Sequence, residues 1–198
     1  MRVMRPIALI ALAVLTAAPL AAQQAAPAAP SGALRAPLST RVVFTMPLAP
    51  ARVQGQPAPT PKNVSIEYGQ PHARGRNVPT ELNTDGTVWR TGANSSTTLR
   101  TETALVIGGA DVPAGNYSLY TIRQNGQYFL IINNNTGQWG TEYDATKDLV
   151  RVPLRSRQRS EAQESLQIVM VPADNQSARG VLTISWGRLE LSADWSAK

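Results

Sequence analysis

The chain has 198 residues, no cysteine and a single histidine, and carries a formal net charge of +6. The missing cysteines exclude disulfides, thiol catalysis, Cys-ligated zinc and iron–sulfur chemistry. The charge excess lies in the N-terminal part: from Asn63 to Lys198 there are 13 Lys and Arg against 13 Asp and Glu, so the rest lacks the basic balance of a nucleic-acid binder.

Arg2 and Arg5 precede an apolar run from Ile7 to Leu15, and small residues continue to Ala22 before Gln23-Gln24. A basic start, a short apolar core and an alanine-rich end predict a cleavable secretory signal over residues 1–22. The stretch from Ile7 to Ala22 has 16 residues, short of the ~20 that cross a bilayer as a helix. The expectation is an exported protein, periplasmic or secreted, and not an integral membrane protein once the signal is removed. No cysteine is available for a lipid anchor, so it is not expected to be a lipoprotein.

Residues 23–61 are dominated by Ala and Pro with few large apolar side chains. Such a stretch buries too little surface to offset the entropy of ordering it, and its prolines keep it extended. It reads as a disordered tether, with Val42-Val43-Phe44 as the one place where a short edge strand could dock.

From residue 62 the pattern changes to short stretches of period two separated by Gly, Pro and Asn. Val64, Ile66 and Tyr68 alternate with Ser65 and Glu67, and Asp85-Gly86 opens a strand over Thr87 to Arg90. Thr97 to Thr101 and Ala104 to Ile107 follow, and Gly108-Gly109 turns the chain. Asn116 to Arg123 and Gln127 to Asn133 flank Asn125-Gly126, a strong hairpin signal because both residues tolerate positive φ. Tyr128 to Ile132 is apolar on both sides, as in a central strand covered on both faces. Val150, Val152 and Leu154 share one face, and further strands run from Leu166 to Val171, Val181 to Trp186 and Arg188 to Ser192. Ser160 to Leu166 is the one helical candidate. These elements predict an all-β domain over 62–198: a two-layer antiparallel β-sandwich of about nine or ten short strands, or alternatively a partly open β-barrel.

Three loops combine aromatic or arginine side chains with glycine: Tyr68 to Arg76, Trp89 to Asn94 and Gly137 to Asp144. From them come the candidate ligand-binding residues Tyr68, His72, Arg74, Arg76, Trp89, Arg90, Asn94, Trp139, Tyr143 and Asp144. A catalytic role for His72 needs a carboxylate to orient it, with Asp85, Glu102 and Asp144 as candidates. No Gly-x-Ser-x-Gly nucleophile motif accompanies it. A lone histidine cannot build a His-rich zinc site, and neither a metal nor a cofactor is expected.

Arg90 follows Val88 by two residues and shares its side of an extended strand. It either pins loops by pairing with Glu102, Asp85 or Asp144, or, like Arg74 and Arg76, grips an anionic ligand through parallel bonds. Trp139 and Tyr143, among Gly, Gln and Asp, suit a carbohydrate-stacking loop or a plug over the end of a sandwich. Trp186 and Trp195 read as core and chain-end packing. Arg151, Arg155, Arg157 and Arg159 form a basic cluster, read first as a solvated rim and second as a patch for anionic polymers or phospholipid head groups.

Trp89-Arg90-Thr91-Gly92-Ala93-Asn94, followed by Thr97-Thr98, resembles the bacterial domain-of-unknown-function family 2911. Val64 to Tyr68, Gly75-Arg76, Val112 to Leu119, Thr136 to Gly140 and Tyr143-Asp144 agree with it in order and spacing, so the resemblance covers about Asn63 to Ala193. One departure is Asn77 to Thr84, where a more glycine-rich stretch is expected. The resemblance implies an exported or envelope β-rich domain and carries no established activity, substrate or cofactor. The leading functional expectation is a non-catalytic binding or interaction module for a glycan, a peptide or an envelope protein. The alternatives are a hydrolase-like enzyme using His72 with a carboxylate, and a purely structural module.

Overall fold

The computed structural model describes residues 39–78, 84–174 and 178–198. The expected signal over 1–22 and the expected tether as far as residue 38 lie outside the described residues, as does most of the Asn77–Thr84 departure. Among the described residues the elements are ten strands and one 3₁₀ turn.

The first strand, β1 (Ser39–Leu48), lies inside the stretch read as tether. Its alternation extends well beyond Val42-Val43-Phe44. Val42, Phe44, Met46 and Leu48 pack on the core, while Val43 on the other face is 59% exposed. Pro47 is tolerated because β1 is an edge strand. It pairs along its whole length with β2 (Lys62–Pro71), setting Val42 against Tyr68, Phe44 against Ile66 and Met46 against Val64.

The chain continues through β3 (Val88–Trp89), β4 (Thr97–Thr101), β5 (Leu105–Ile107), β6 (Ala110–Val112), β7 (Gly115–Gln124) and β8 (Gln127–Asn133). Asn125 and Gly126 turn β7 into β8 with φ of 50° and 80°, the conformation that a two-residue hairpin of native twist requires. Two long strands follow, β9 (Asp148–Pro172) and β10 (Arg179–Ala197). The stretch from Ser160 to Leu166, expected to hold a helical turn, is part of β9. Its helix-favouring Glu161, Ala162 and Gln163 are overridden by the ladder to β10, where Gln163 faces Gly187. The two strands expected on either side of Gly187 are one strand. Gly187, at φ 57°, takes up the register shift as a bulge.

The strands form one antiparallel sheet in the order β1-β2-β4-β7-β8-β9-β10-β5-β6, with β3 continuing the ladder on β7 beyond the end of β4. The two ends of this path do not pair, so the sheet is not closed into a barrel. The length of β9 creates the two layers: Val150 to Leu154 pair with β8, and Arg155 to Pro172 pair with β10. The sheet thereby folds over itself. Val64, Ile66, Leu99, Leu119 and Leu130 face Leu166, Ile168, Met170, Leu182 and Ile184 in a single core. Each such side chain contributes about 1.5–3 kcal/mol by leaving water, so packing without disulfides suffices for a domain of this size.

The run Tyr128 to Ile132 is covered on both faces, as its composition predicts. Tyr120, Ile122 and Ile131 form a second, smaller cluster on the outer face, closed by Val88, Phe129 and Tyr143.

Candidate functional site

The three motif loops meet through close backbone contacts. The amide of Ala93 donates to the carbonyl of Gly69 at 3.0 Å, and the amide of Gly140 donates to the carbonyl of Asn94 at 2.9 Å. Neither glycine has room for a Cβ: at Gly69 it would collide with the Ala93 carbonyl, and at Gly140 with the Arg90 side chain and the Asn94 carbonyl. Ser95 bridges Trp139, and the Ser96 amide donates to the Gln138 carbonyl at 3.1 Å.

Thr91 is fully buried and held at φ 49°, a strained conformation for a β-branched residue. Hydroxyl bonds fix it there. Its Oγ1 lies 2.8 Å from Thr121 Oγ1, and Thr97 Oγ1 donates to its carbonyl at 2.9 Å.

Beside these loops is a cleft of about 440 Å³, lined chiefly by Val88, Trp89, Arg90, Tyr120, Tyr143 and Trp186, with Arg76 and Thr141 also reaching it. Trp89 stacks on Trp186 with centroids 5.8 Å apart and planes at 20°. The Arg76 guanidinium carbon is 5.8 Å from the Trp186 ring centroid. Arg76 also donates to the carbonyls of Ala73 and His72, at 3.0 and 2.9 Å. Tyr120 and Tyr143 meet at 4.9 Å in a tilted arrangement.

Burial pushes the Tyr120 hydroxyl pKa up. The Tyr143 hydroxyl is pushed up to about 12, first by burial and then by its bond to Asp148. Both therefore act as neutral donors at ordinary pH. Tyr120 receives a bond from Gln138 at 2.8 Å, and Tyr143 donates to Asp148 at 2.7 Å.

Arg90 pairs with no carboxylate among the described residues. Its one hydrogen bond among the described residues is a 3.3 Å contact from Nη1 to the Asn94 carbonyl. None of the three carboxylates expected to pair with it does so. Asp85 lies 3.4 Å from Arg123, Glu102 accepts from Asn63, and Asp144 caps the 3₁₀ turn Ala145–Lys147 through Thr146. The same three placements remove the expected partners of His72. Its Nδ1 instead meets Ser165 Oγ at 2.8 Å, and neither residue lines the cleft.

The other candidates divide plainly. Trp89, Arg90, Tyr143 and Arg76 line the cleft, and Asn94, exposed at φ 63°, supplies the carbonyl at Arg90. Tyr68 is in the core, where its hydroxyl accepts from the Ile168 amide at 3.3 Å and lies 3.4 Å from the Leu166 carbonyl. Arg74 is exposed, and its amide donates to Glu164 at 2.8 Å. Trp139 is 49% exposed and lies outside the lining, although its neighbour Gly140 belongs to it. Tyr120 and Trp186 were not among the expected site residues. Trp186 is buried as expected, and it also forms a wall of the cleft.

The basic cluster is paired: Arg151 with Asp148, Arg155 with Asp194 through bonds of 2.8 and 2.7 Å, and both Arg157 and Arg159 with Glu190. Among the described residues no group of three or more His, Asp and Glu is placed to hold a metal ion. No helix among them is long and apolar enough to cross a membrane.

Fold and site together define an all-β, two-layer domain with an arginine-bearing aromatic cleft beside its motif loops. Residues 50–194 match the family model described as protein of unknown function, DUF2911, and the chain belongs to that family. The matched segment begins just after β1. No curated protein and no solved structure matches the chain.

Proposed function

We propose that this domain is a non-catalytic binding module of the cell envelope, which reaches that compartment through the N-terminal signal and holds part of a glycan, peptide or envelope protein in the aromatic cleft. The observation that supports this most is Arg90. An arginine at a cleft wall, next to stacked indoles and without a carboxylate partner, has donors to spare for a ligand. The cleft volume lies within the usual range of ligand pockets, about 300–1,000 Å³. A hydrolytic reading would rest on Ser165 and His72, and their position away from the cleft argues against it.

The reading is tested on purified protein by thermal-shift screening against envelope glycans, peptides and small anions, repeated with Arg90→Ala. A ligand that stabilises the parent protein, and fails to stabilise a normally folded Arg90→Ala variant, supports it. Ligands that stabilise both proteins equally would remove the cleft from the account. N-terminal sequencing of the protein recovered from the periplasm or medium should begin near Gln23. Retention in the cytoplasm with residues 1–22 intact would remove the envelope from it.

A further inference from the structure

Resting on the reading of the cleft as a ligand site, the geometry points to its ligand class: we infer that the cleft takes a carboxylate carried on a flat apolar body, with Arg90 as the group that recognises the charge. The polar side of the cleft holds Arg90, which makes no ion pair among the described residues. Among the described residues, the nearby carboxylates are occupied or turned elsewhere. Asp148 accepts from Tyr143 and Arg151, Glu164 accepts from the Arg74 amide, and Glu142 is exposed and makes no ion pair with Arg90. An anion reaching Arg90 therefore meets donors without displacing a carboxylate partner.

The local backbone favours a fixed Arg90. Thr91 and Asn94 hold positive φ at 49° and 63°, and Gly140 packs directly on the Arg90 side chain. Strain of this kind persists where the surroundings over-determine a conformation. Here it fixes the backbone beside Arg90 and packs the stem of its side chain, whose planar fork of donors matches the two oxygens of a carboxylate. The rest of the lining is chiefly rings and Val88, which favour a flat apolar body over a hydrated one. A cleft of about 440 Å³ suits one aromatic ring with its acid, such as the side chain and terminus of a short peptide.

The test uses the whole protein and three small probes that share one ring: phenylacetate, the neutral phenylacetamide and benzylphosphonate. Binding is followed by saturation-transfer NMR and calorimetry. Phenylacetate should bind saturably, about tenfold or more tighter than phenylacetamide, because a charge-assisted bond is lost in the amide. Benzylphosphonate, whose head a guanidinium also grips with two bonds, separates a carboxylate from a tetrahedral anion; the assignment requires phenylacetate to bind tighter. Arg90→Gln, with an unchanged melting temperature, should lower phenylacetate affinity to that of the amide. Should Arg90→Gln fail to fold, Arg90→Lys keeps the charge without the fork, and should still weaken phenylacetate several-fold.

Equal binding of acid and amide, or unchanged binding by either variant, overturns the carboxylate assignment. Preference for the phosphonate overturns it in favour of a tetrahedral anion. If none of the probes binds while a neutral oligosaccharide or peptide does so in an Arg90-dependent way, the assignment fails and the binding-module reading stands. If no compound of any class binds, both fail.

Discussion

The indoles of Trp89 and Trp186 stack at 5.8 Å, joining the short strand β3 to the bulge of β10. Trp186 is anchored in turn through its Nε1, which donates to the Glu164 carbonyl at 3.1 Å. The wall of the cleft is therefore also a tie between β3, which leads into Arg90, and the far layer of the sheet. Trp89→Ala should destabilise the protein by about 2–4 kcal/mol, somewhat below the range for a fully buried tryptophan because Trp89 is half-buried. Trp89→Phe should recover most of that loss. Urea unfolding of the two variants checks both.

Tyr68 sits in one of the motif loops' parent strands, and its position gives it a different task from ligand binding. Its hydroxyl meets the backbone of β9 at Leu166 and Ile168, across the core from β2. Tyr68→Phe leaves a buried amide of Ile168 without its partner and should cost about 1–3 kcal/mol. Ligand affinity should not change. A calorimetric titration alongside the unfolding curve separates the two readouts.

Glu190 accepts from Arg157 and Arg159 in a largely buried position. The Arg157 hydrogen bond holds its carboxyl below the ordinary value of 4.5, against the opposing effect of burial, and Arg159 adds to the lowering. A folded-state value below the unfolded one gives stability that is fully present above the unfolded value and is lost as pH falls through the folded one. The parent protein should therefore lose stability steadily below about pH 4.5, whereas Glu190→Gln, less stable at neutral pH, should show a shallower decline. Denaturation midpoints from pH 7 to pH 3 check the difference in slope.

Residues 39–48 distinguish a working strand from a spacer. Deleting them removes the whole partner of β2 and exposes the apolar face that Val42, Phe44, Met46 and Leu48 cover. The melting temperature should fall by more than 10 °C, since about 2–4 °C follows from each 1 kcal/mol in a domain of this size and burying each of these four side chains contributes about 1.5–3 kcal/mol. Deleting a segment of equal length from residues 23–38, the part of the expected tether outside the described residues, gives the comparison and should leave the melting temperature unchanged.

What the sequence disclosed and what it hid follow from the range of the interactions. The strands β2, β4, β7 and β8 were legible because their apolar periodicity and the Asn125-Gly126 turn are local. β1 was masked by its setting: Ala and Pro dominate the flanks, Pro47 interrupts the strand, and only Val42-Val43-Phe44 stand out. The helix candidate at Ser160 to Leu166 failed because local propensity is weak against a continuous ladder. At the site, the glycines and arginines of the three loops marked segments that the fold brings into contact. Which partner each side chain meets depends on contacts between distant strands, so His72 finds Ser165 where a carboxylate was sought. Trp186 carried no local sign of a role beyond packing, because its place in the cleft comes from the bulge at Gly187 and the stack with Trp89.

If the cleft beside Arg90 binds a ligand, the indole N–H signals of the four tryptophans report it. In a ¹⁵N-labelled protein titrated with phenylacetate, the Trp89 and Trp186 signals should shift together and saturate, while Trp195, buried against Ile107 at the other end of β10, stays still. In Arg90→Gln the shifts should require about tenfold more probe. Shifts confined to Trp139, or unaltered by Arg90→Gln, would contradict the account and leave the motif as architecture alone.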